Sequence, residues 1–100
     1  MWARRTDQNH AEIRDAMRKA GAEVEDLSGS GKGMPDTLVY TPDGRLLLVE
    51  IKMPKGTLTP PQVRFHARFP VHIVRTVEAA LALVADPDPD HDETTYNETP

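Results

Sequence analysis

Pro35-Asp36-Thr37-Leu38-Val39-Tyr40-Thr41-Pro42-Asp43-Gly44-Arg45-Leu46-Leu47-Leu48-Val49-Glu50-Ile51-Lys52 is the stretch on which the fold turns. Two runs rich in Leu and Val, 37–40 and 45–52, read as strands on either side of a turn. Pro42 and Asp43 suit the two central positions of a type I turn, and Gly44 suits the left-handed position that follows. The spacing therefore predicts a hairpin with a three-residue loop at 42–44. Pairing Thr41 with Arg45 then fixes the register: Tyr40 faces Leu46, Leu38 faces Leu48 and Asp36 faces Glu50. Side chains alternate along a strand, so these pairs share one side of the sheet, and Lys52 follows Glu50 on that side roughly 7 Å further on.

Two carboxylates placed opposite one another repel. A positive species between them reverses the sign. Lys52 is one candidate. A divalent cation is another, because hard carboxylate and carbonyl oxygens suit Mg²⁺ or Mn²⁺. The carbonyl of Ile51 offers a further oxygen, and Lys52 is then left to orient a water or to face a developing negative charge. The plain alternative is a set of solvated strand-end charges. Val49-Glu50-Ile51-Lys52 ends an otherwise apolar strand, however, where a solvated face has no reason to begin.

Working outward, residues 8–20 read as an amphipathic helix with Ile13, Met17 and Ala20 at helical spacing. Asn9 and Glu12 suit a capping box, with a start a turn earlier at Thr6 or Asp7 as the alternative, and Gly21 suits a C-cap. A short strand at 22–27 leads into Ser28-Gly29-Ser30-Gly31-Lys32-Gly33, read as a flexible flap bearing one cation, or else an ordinary linker. The loop lacks the Walker spacing. Thr59 is placed to cap a second helix, with Pro60 at its first position and Gln62 as the reciprocal partner. That helix runs toward Phe69, where Pro70 stops it. A strand at 71–75 and a helix at 77–84 capped by Thr76 follow. The order α-β-β-β-α-β-α includes a crossover and so at least one parallel pair, giving an α/β (α+β) mixed sheet flanked by helices.

The chain has 100 residues, no Cys and a formal charge of −4. One domain fits this length. No disulfide or Cys-ligated metal is possible. No apolar run reaches the roughly 20 residues of a membrane span or suits a signal peptide, so a cytoplasmic location is expected. The charge is unevenly spread: residues 86–100 hold six acids and no Lys or Arg, whereas the other 85 hold all 12 basic side chains and ten acids. The expected division is a mildly basic domain at 1–85 and a disordered acidic tail at 86–100.

Pro35-Asp36 together with Glu50-Ile51-Lys52 resembles the PD-(D/E)xK nuclease superfamily. The wider context is Gly31-Lys32-Gly33-Met34-Pro35-Asp36, Leu48-Val49-Glu50-Ile51-Lys52, Leu58-Thr59-Pro60-Pro61-Gln62 and Val74-Arg75-Thr76. It is similar to the VRR-NUC branch in its compact stand-alone phage and bacterial form. The resemblance runs from about residue 4 to residue 84. It implies a restriction-endonuclease-like αβββαβ core, here with an extra C-terminal helix. It also implies a metal-dependent endonuclease, associated with homodimers acting on branched DNA such as four-way junctions. Asp36, Glu50 and the Ile51 carbonyl would hold Mg²⁺ or Mn²⁺, with Glu12 helping through water or a second ion. Lys52 would position the attacking water or stabilise charge on the phosphorus centre, and Gln62 matches a position near the site.

Each candidate has a plainer reading. Glu12 serves equally as a capping acid. Gln62 is a capping residue first, and its amide is expected to cap or to reach the site, not both. His10, His66, His72 and His91 show no ligand spacing, with His66 the nearest to an exception. Arg4, Arg5, Lys32, Lys55, Arg64, Arg68 and Arg75 are candidates for phosphate contacts, which position DNA without reading its sequence. Five aromatic residues leave base stacking a minor theme. The rival functions are a catalytically silent nuclease fold that binds DNA or protein, and an unrelated small metal-binding module.

Overall fold

The computed structural model describes residues 5–85 and 93–94, with side chains described over 8–85. The element order is α1 (Arg5–Lys19), β1 (Glu23–Asp26), β2 (Thr37–Tyr40), β3 (Leu46–Ile51), α2 (Pro60–His66), β4 (His72–Val74), α3 (Val77–Ala85) and β5 (Glu93–Thr94). The strands form one mixed sheet in the order β1-β2-β3-β4-β5. β1, β2 and β3 are antiparallel neighbours, β3 and β4 are parallel, and β5 is antiparallel to β4. The crossover through α2 thus produces the parallel pair that its position demands.

The hairpin has the expected register. Thr37 pairs with Val49, Leu38 with Leu48, Val39 with Leu47 and Tyr40 with Leu46. Its turn is closed by Thr41 N–H to the Arg45 carbonyl at 2.9 Å and Gly44 N–H to the Thr41 carbonyl at 3.0 Å. Gly44 has φ 92, a conformation that costs Gly little. Thr41 also donates its hydroxyl to Asp43, and Arg45 joins Asp43 to the carbonyls of Leu83 and Val84. One guanidinium therefore fastens the hairpin turn to the unpaired C-terminal carbonyls of α3.

Alternation along β2 and β3 sends Val39, Val49 and Ile51 into the core beside Ile13 and Met17 of α1 and Ala80, Leu83 and Val84 of α3. Helix α1 ends in a Schellman arrangement, with Gly21 N–H bonded to the Arg18 carbonyl and Ala22 N–H to the Met17 carbonyl. Its N-terminus lies at Arg5, a turn before the proposed Asn9–Glu12 capping box, so that pair sits within the helix and does not cap it. Glu93–Thr94, inside the stretch expected to be disordered, pairs with His72 and Ile73 at the open edge of β4. That edge presents unpaired backbone groups, which a passing extended segment satisfies. The rest of 86–100 lies outside the described residues.

The glycine-rich loop packs against α2 and is not a free flap. Gly31, Lys32 and Gly33 all have positive φ, at 70, 59 and 80. A Cβ on Gly33 would stand 2.3 Å from the Pro61 carbonyl oxygen. Gly33→Ala is expected to lower the melting temperature by roughly 5–10 °C, from a strained φ and a backbone clash of about 1–2 kcal/mol. Gly29→Ala, where nothing lies within 4 Å, is the control and should change it little. Thermal unfolding by circular dichroism measures both.

Candidate active site

At the end of the hairpin, beyond the last β2–β3 pair, the chain enters β2 from Asp36 alongside the point where β3 finishes at Ile51. Asp36 lies on the strand face shared with Leu38 and Tyr40, and Glu50 on the face shared with Leu46 and Leu48, which is the same side of the sheet. Asp36 takes the Ile51 N–H on both carboxylate oxygens, at 3.2 and 3.4 Å. The Thr37 hydroxyl donates to its Oδ1 at 2.8 Å. Asp36 is 8 % exposed and Glu50 3 % exposed, so two acids end a strand pair in near-complete burial.

Helix α1 supplies the groups around Asp36. His10 and Arg14 are four residues apart and share a helix face. His10 Nδ1 lies 3.8 Å from Asp36 Oδ2. Arg14 donates to the Thr37 hydroxyl at 3.0 Å and to the Asp36 carbonyl at 3.1 Å, and its guanidinium reaches Asp26 at 3.4 Å and Asp36 Oδ1 at 3.8 Å. A buried Arg next to a buried Asp satisfies a charge that would otherwise be costly. Neither residue was singled out from sequence as part of the site. The i, i+4 spacing of a His and an Arg on an otherwise amphipathic helix was the available signal.

Glu12 does not join them. It is exposed, and two positions from His10 is about 200° around a helix, so it points away from the cavity. The structure separates it from Asp36 and Glu50, and it neither caps α1 nor faces the site.

Helix α2 supplies the groups around Glu50. Thr59 caps it as expected, accepting the Gln62 N–H, while Gln62 Oε1 accepts the Thr59 N–H at 2.9 Å. The Nε2 end of the same amide donates to Glu50 Oε2 at 3.2 Å. Gln62 therefore caps and reaches the site together, against the expectation that it does one or the other. Its carbonyl and amine ends are separate groups and each takes its own partner. Lys52 Nζ lies 3.9 Å from Glu50 Oε2. Glu50 Oε1 is buried without a hydrogen-bond partner.

Asp36, Glu50, Ile51, Lys52 and Gln62 line one cavity of about 570 Å³, together with His10 and Lys32. Of the other candidates, Lys55 and Arg64 are exposed and lie outside this cavity. Arg4 lies outside the described residues, and Arg5 begins α1 with no side chain described. Arg75 is not poised for phosphate: it donates to the carbonyls of Met53, Pro54 and Gly56 and holds the loop after β3. His66 is buried, and its imidazole is held below its ordinary pKa, first by burial and then by Lys52.

Burial, and after it the Asp36 charge, pushes the Glu50 carboxyl up from 4.5 to about 7, with Lys52 opposing. Among the described residues no three His, Asp or Glu side chains form a ready-made cage for an ion. The donor set still fits Mg²⁺ or Mn²⁺, which bind through one or two carboxylates and keep several waters. The orphaned Glu50 Oε1 is the feature in this structure that such an ion would satisfy.

A family model for the VRR-NUC domain matches residues 2–86. The chain belongs to the VRR-NUC family. A solved structure described as a VRR-NUC domain superposes on 86% of this chain and 100% of its own, with a TM-score of 0.69 and 27% identity. "Putative nuclease p44" of Acyrthosiphon pisum secondary endosymbiont phage 1 is 37% identical over 56 residues, which are 56% of this chain. The matched region spans 60% of that phage protein.

A titration of the metal-free protein tests the electrostatics. A carboxyl raised from 4.5 to about 7 keeps in the folded state a proton that the unfolded chain has released. Its stabilising effect is full below about 4.5 and is lost as pH rises through 7. In EDTA, denaturant unfolding should therefore show about 1–2 kcal/mol less stability at pH 8 than at pH 5 from this group, after allowing for water in the cavity. Glu50→Gln should flatten that slope.

Proposed function

We propose that this VRR-NUC protein is a Mg²⁺- or Mn²⁺-dependent DNA endonuclease that selects branched DNA such as a four-way junction. The convergence of Asp36, Glu50, Lys52 and Gln62 on one cavity carries the reading. A silent binding fold would have no use for two buried, opposed carboxylates, since each costs stability unless something positive is brought to it. The nuclease named among the relatives supports the same class of activity.

In this reading Asp36, Glu50 and the Ile51 carbonyl hold the ion. When bound, the ion acts as a Lewis acid and lowers the cost of charge on the phosphoryl oxygens. Hydrolysis forms a new O–P bond from water, breaks the ester P–O bond, and protonates the leaving oxygen. Lys52 brings an ammonium beside Glu50, where it orients the water or faces the charge that builds on the phosphate. Gln62 fixes the Glu50 carboxylate through Oε2. His10 and Arg14 keep Asp36 oriented. Lys32 and Lys55 contact the DNA backbone.

A nuclease domain of 100 residues offers little surface to grip a branched duplex. A homodimer with two-fold symmetry would present paired sites to it. No helix among the described residues is long and apolar enough to cross a membrane, and we place the protein's work in the cytoplasm of a bacterial or phage-infected cell.

Four-way-junction, splayed and linear duplex DNA, each incubated with Mn²⁺, Mg²⁺ or EDTA, test the proposal. Metal-dependent cuts should be fastest on the junction. Lys52→Ala should slow cleavage by roughly 10²–10³-fold, the effect of removing one group that stabilises transition-state charge. Asp36→Asn should retain cooperative unfolding, because the amide oxygen still accepts the Ile51 N–H, while losing metal affinity by isothermal titration. Tight junction binding without cutting under any metal would sink the enzyme reading and leave the silent fold.

A further inference from the structure

A second cavity, of about 480 Å³, is lined by Lys32, Pro61, Arg64, Phe65 and Arg68. Lys32 and Pro61 also line the first cavity, so the two meet along the seam between the glycine-rich loop and the start of α2. The lining carries three cations and no acid. Among the described residues, Lys32, Arg64 and Arg68 form no ion pair with a carboxylate, whereas Arg14, Arg18, Arg45 and Lys52 all do. Three unpaired cations around one hollow repel each other, and a bound polyanion reverses that.

The groove is also pre-shaped. Arg64 lies in the last turn of α2, and Arg68 in the turn that follows the helix, where its N–H bonds to the Phe65 carbonyl at 2.9 Å. The Arg68 guanidinium stacks over Phe65 at 5.6 Å and Phe69 at 5.1 Å, and those rings are 4.7 Å apart. Stacking spends its rotamer freedom in advance and leaves its N–H edge available for a planar, bidentate partner. Lys32 precedes Gly33, which is pressed on the Pro61 backbone and so brings the loop against the start of α2.

We propose that this second cavity is a docking groove for the phosphodiester backbone of the strand that leaves the cleavage site, with Arg64 and Arg68 binding the phosphates next to the cut. The proposal rests on the nucleic-acid reading of the first cavity and adds the direction of the strand: from Glu50 and Lys52, over Lys32 and Pro61, to the C-terminal end of α2. The contacts are to phosphate alone, so the groove positions the substrate and does not read sequence.

The test is binding in EDTA, where cleavage plays no part. Fluorescence anisotropy follows junction and single-stranded DNA across a salt series for the wild type, Arg64→Ala/Arg68→Ala, and an equal-charge control, Arg18→Ala/Lys19→Ala on α1. Loss of two phosphate contacts should flatten the slope of log K against log salt by about 2 on duplex arms and about 1.4 on single strands. The control should leave the slope near that of the wild type. Neutral methylphosphonate linkages, moved one step at a time from the cut, should weaken wild-type binding at the flanking positions and leave Arg64→Ala/Arg68→Ala unaffected there. Equal slopes in the two double variants, or equal methylphosphonate penalties in wild type and groove variant, would overturn the groove. Wild-type protein that binds through the groove yet cuts nothing would keep the groove and remove the nuclease reading. Absence of DNA binding by the wild type would remove both.

Discussion

Two carboxylates set face to face at the open end of a buried strand pair are the constraint that shapes the rest of this protein. The β2–β3 register puts them there, and the register is fixed by a three-residue turn at the far end of the hairpin. A one-residue slip of β3 would put Asp36 and Glu50 on opposite faces of the sheet and turn Val49 and Ile51 out of the core. The same alternation that packs Val39, Val49 and Ile51 against α1 and α3 therefore assembles the acidic pair. Core and site have one origin.

The two acids are accommodated in different ways. Asp36 is surrounded by donors: a backbone N–H, a hydroxyl, and the cationic or polar ends of Arg14 and His10. Glu50 has one amide and a distant ammonium, and one of its oxygens has no partner. Burial, and after it the Asp36 charge, raises the Glu50 carboxyl, with Lys52 opposing. The unequal supply makes Glu50 the side of the pair with an unfilled coordination position, the one at which an ion would gain most.

Short-range chemistry was legible from the residues. The hairpin loop, the Thr59–Gln62 capping box, the Gly21 C-cap and the Thr76 cap each depend on side chains within a few positions of one another, and each is present. The opposition of Asp36 and Glu50 was legible because a tight turn transmits its register along both strands. Contacts across elements were not. Arg14 reaches β2 from a helix more than twenty residues earlier, and its spacing from His10 is the one local mark that sets it apart from Arg18. Glu12 was a candidate by resemblance to the acid of a first helix, and the folded helix leaves it exposed on the side away from His10 and Arg14. Arg75, a candidate for phosphate by charge, faces three backbone carbonyls that only the folded loop brings together. The two-residue strand at Glu93–Thr94 was hidden because it draws on an open sheet edge and not on its own composition.

Gln62 ties two events together. Its oxygen closes the first turn of α2 at Thr59, and its nitrogen holds Glu50 on β3. An isolated seven-residue helix has little tendency to persist in water. Here its initiation and the orientation of a buried acid are secured by one planar amide, so fraying of the helix start and release of the carboxylate are the same motion. Unwinding the first turn of α2 would take from Glu50 the amide that holds its Oε2, while Asp36 would keep its partners on β2, β3 and α1.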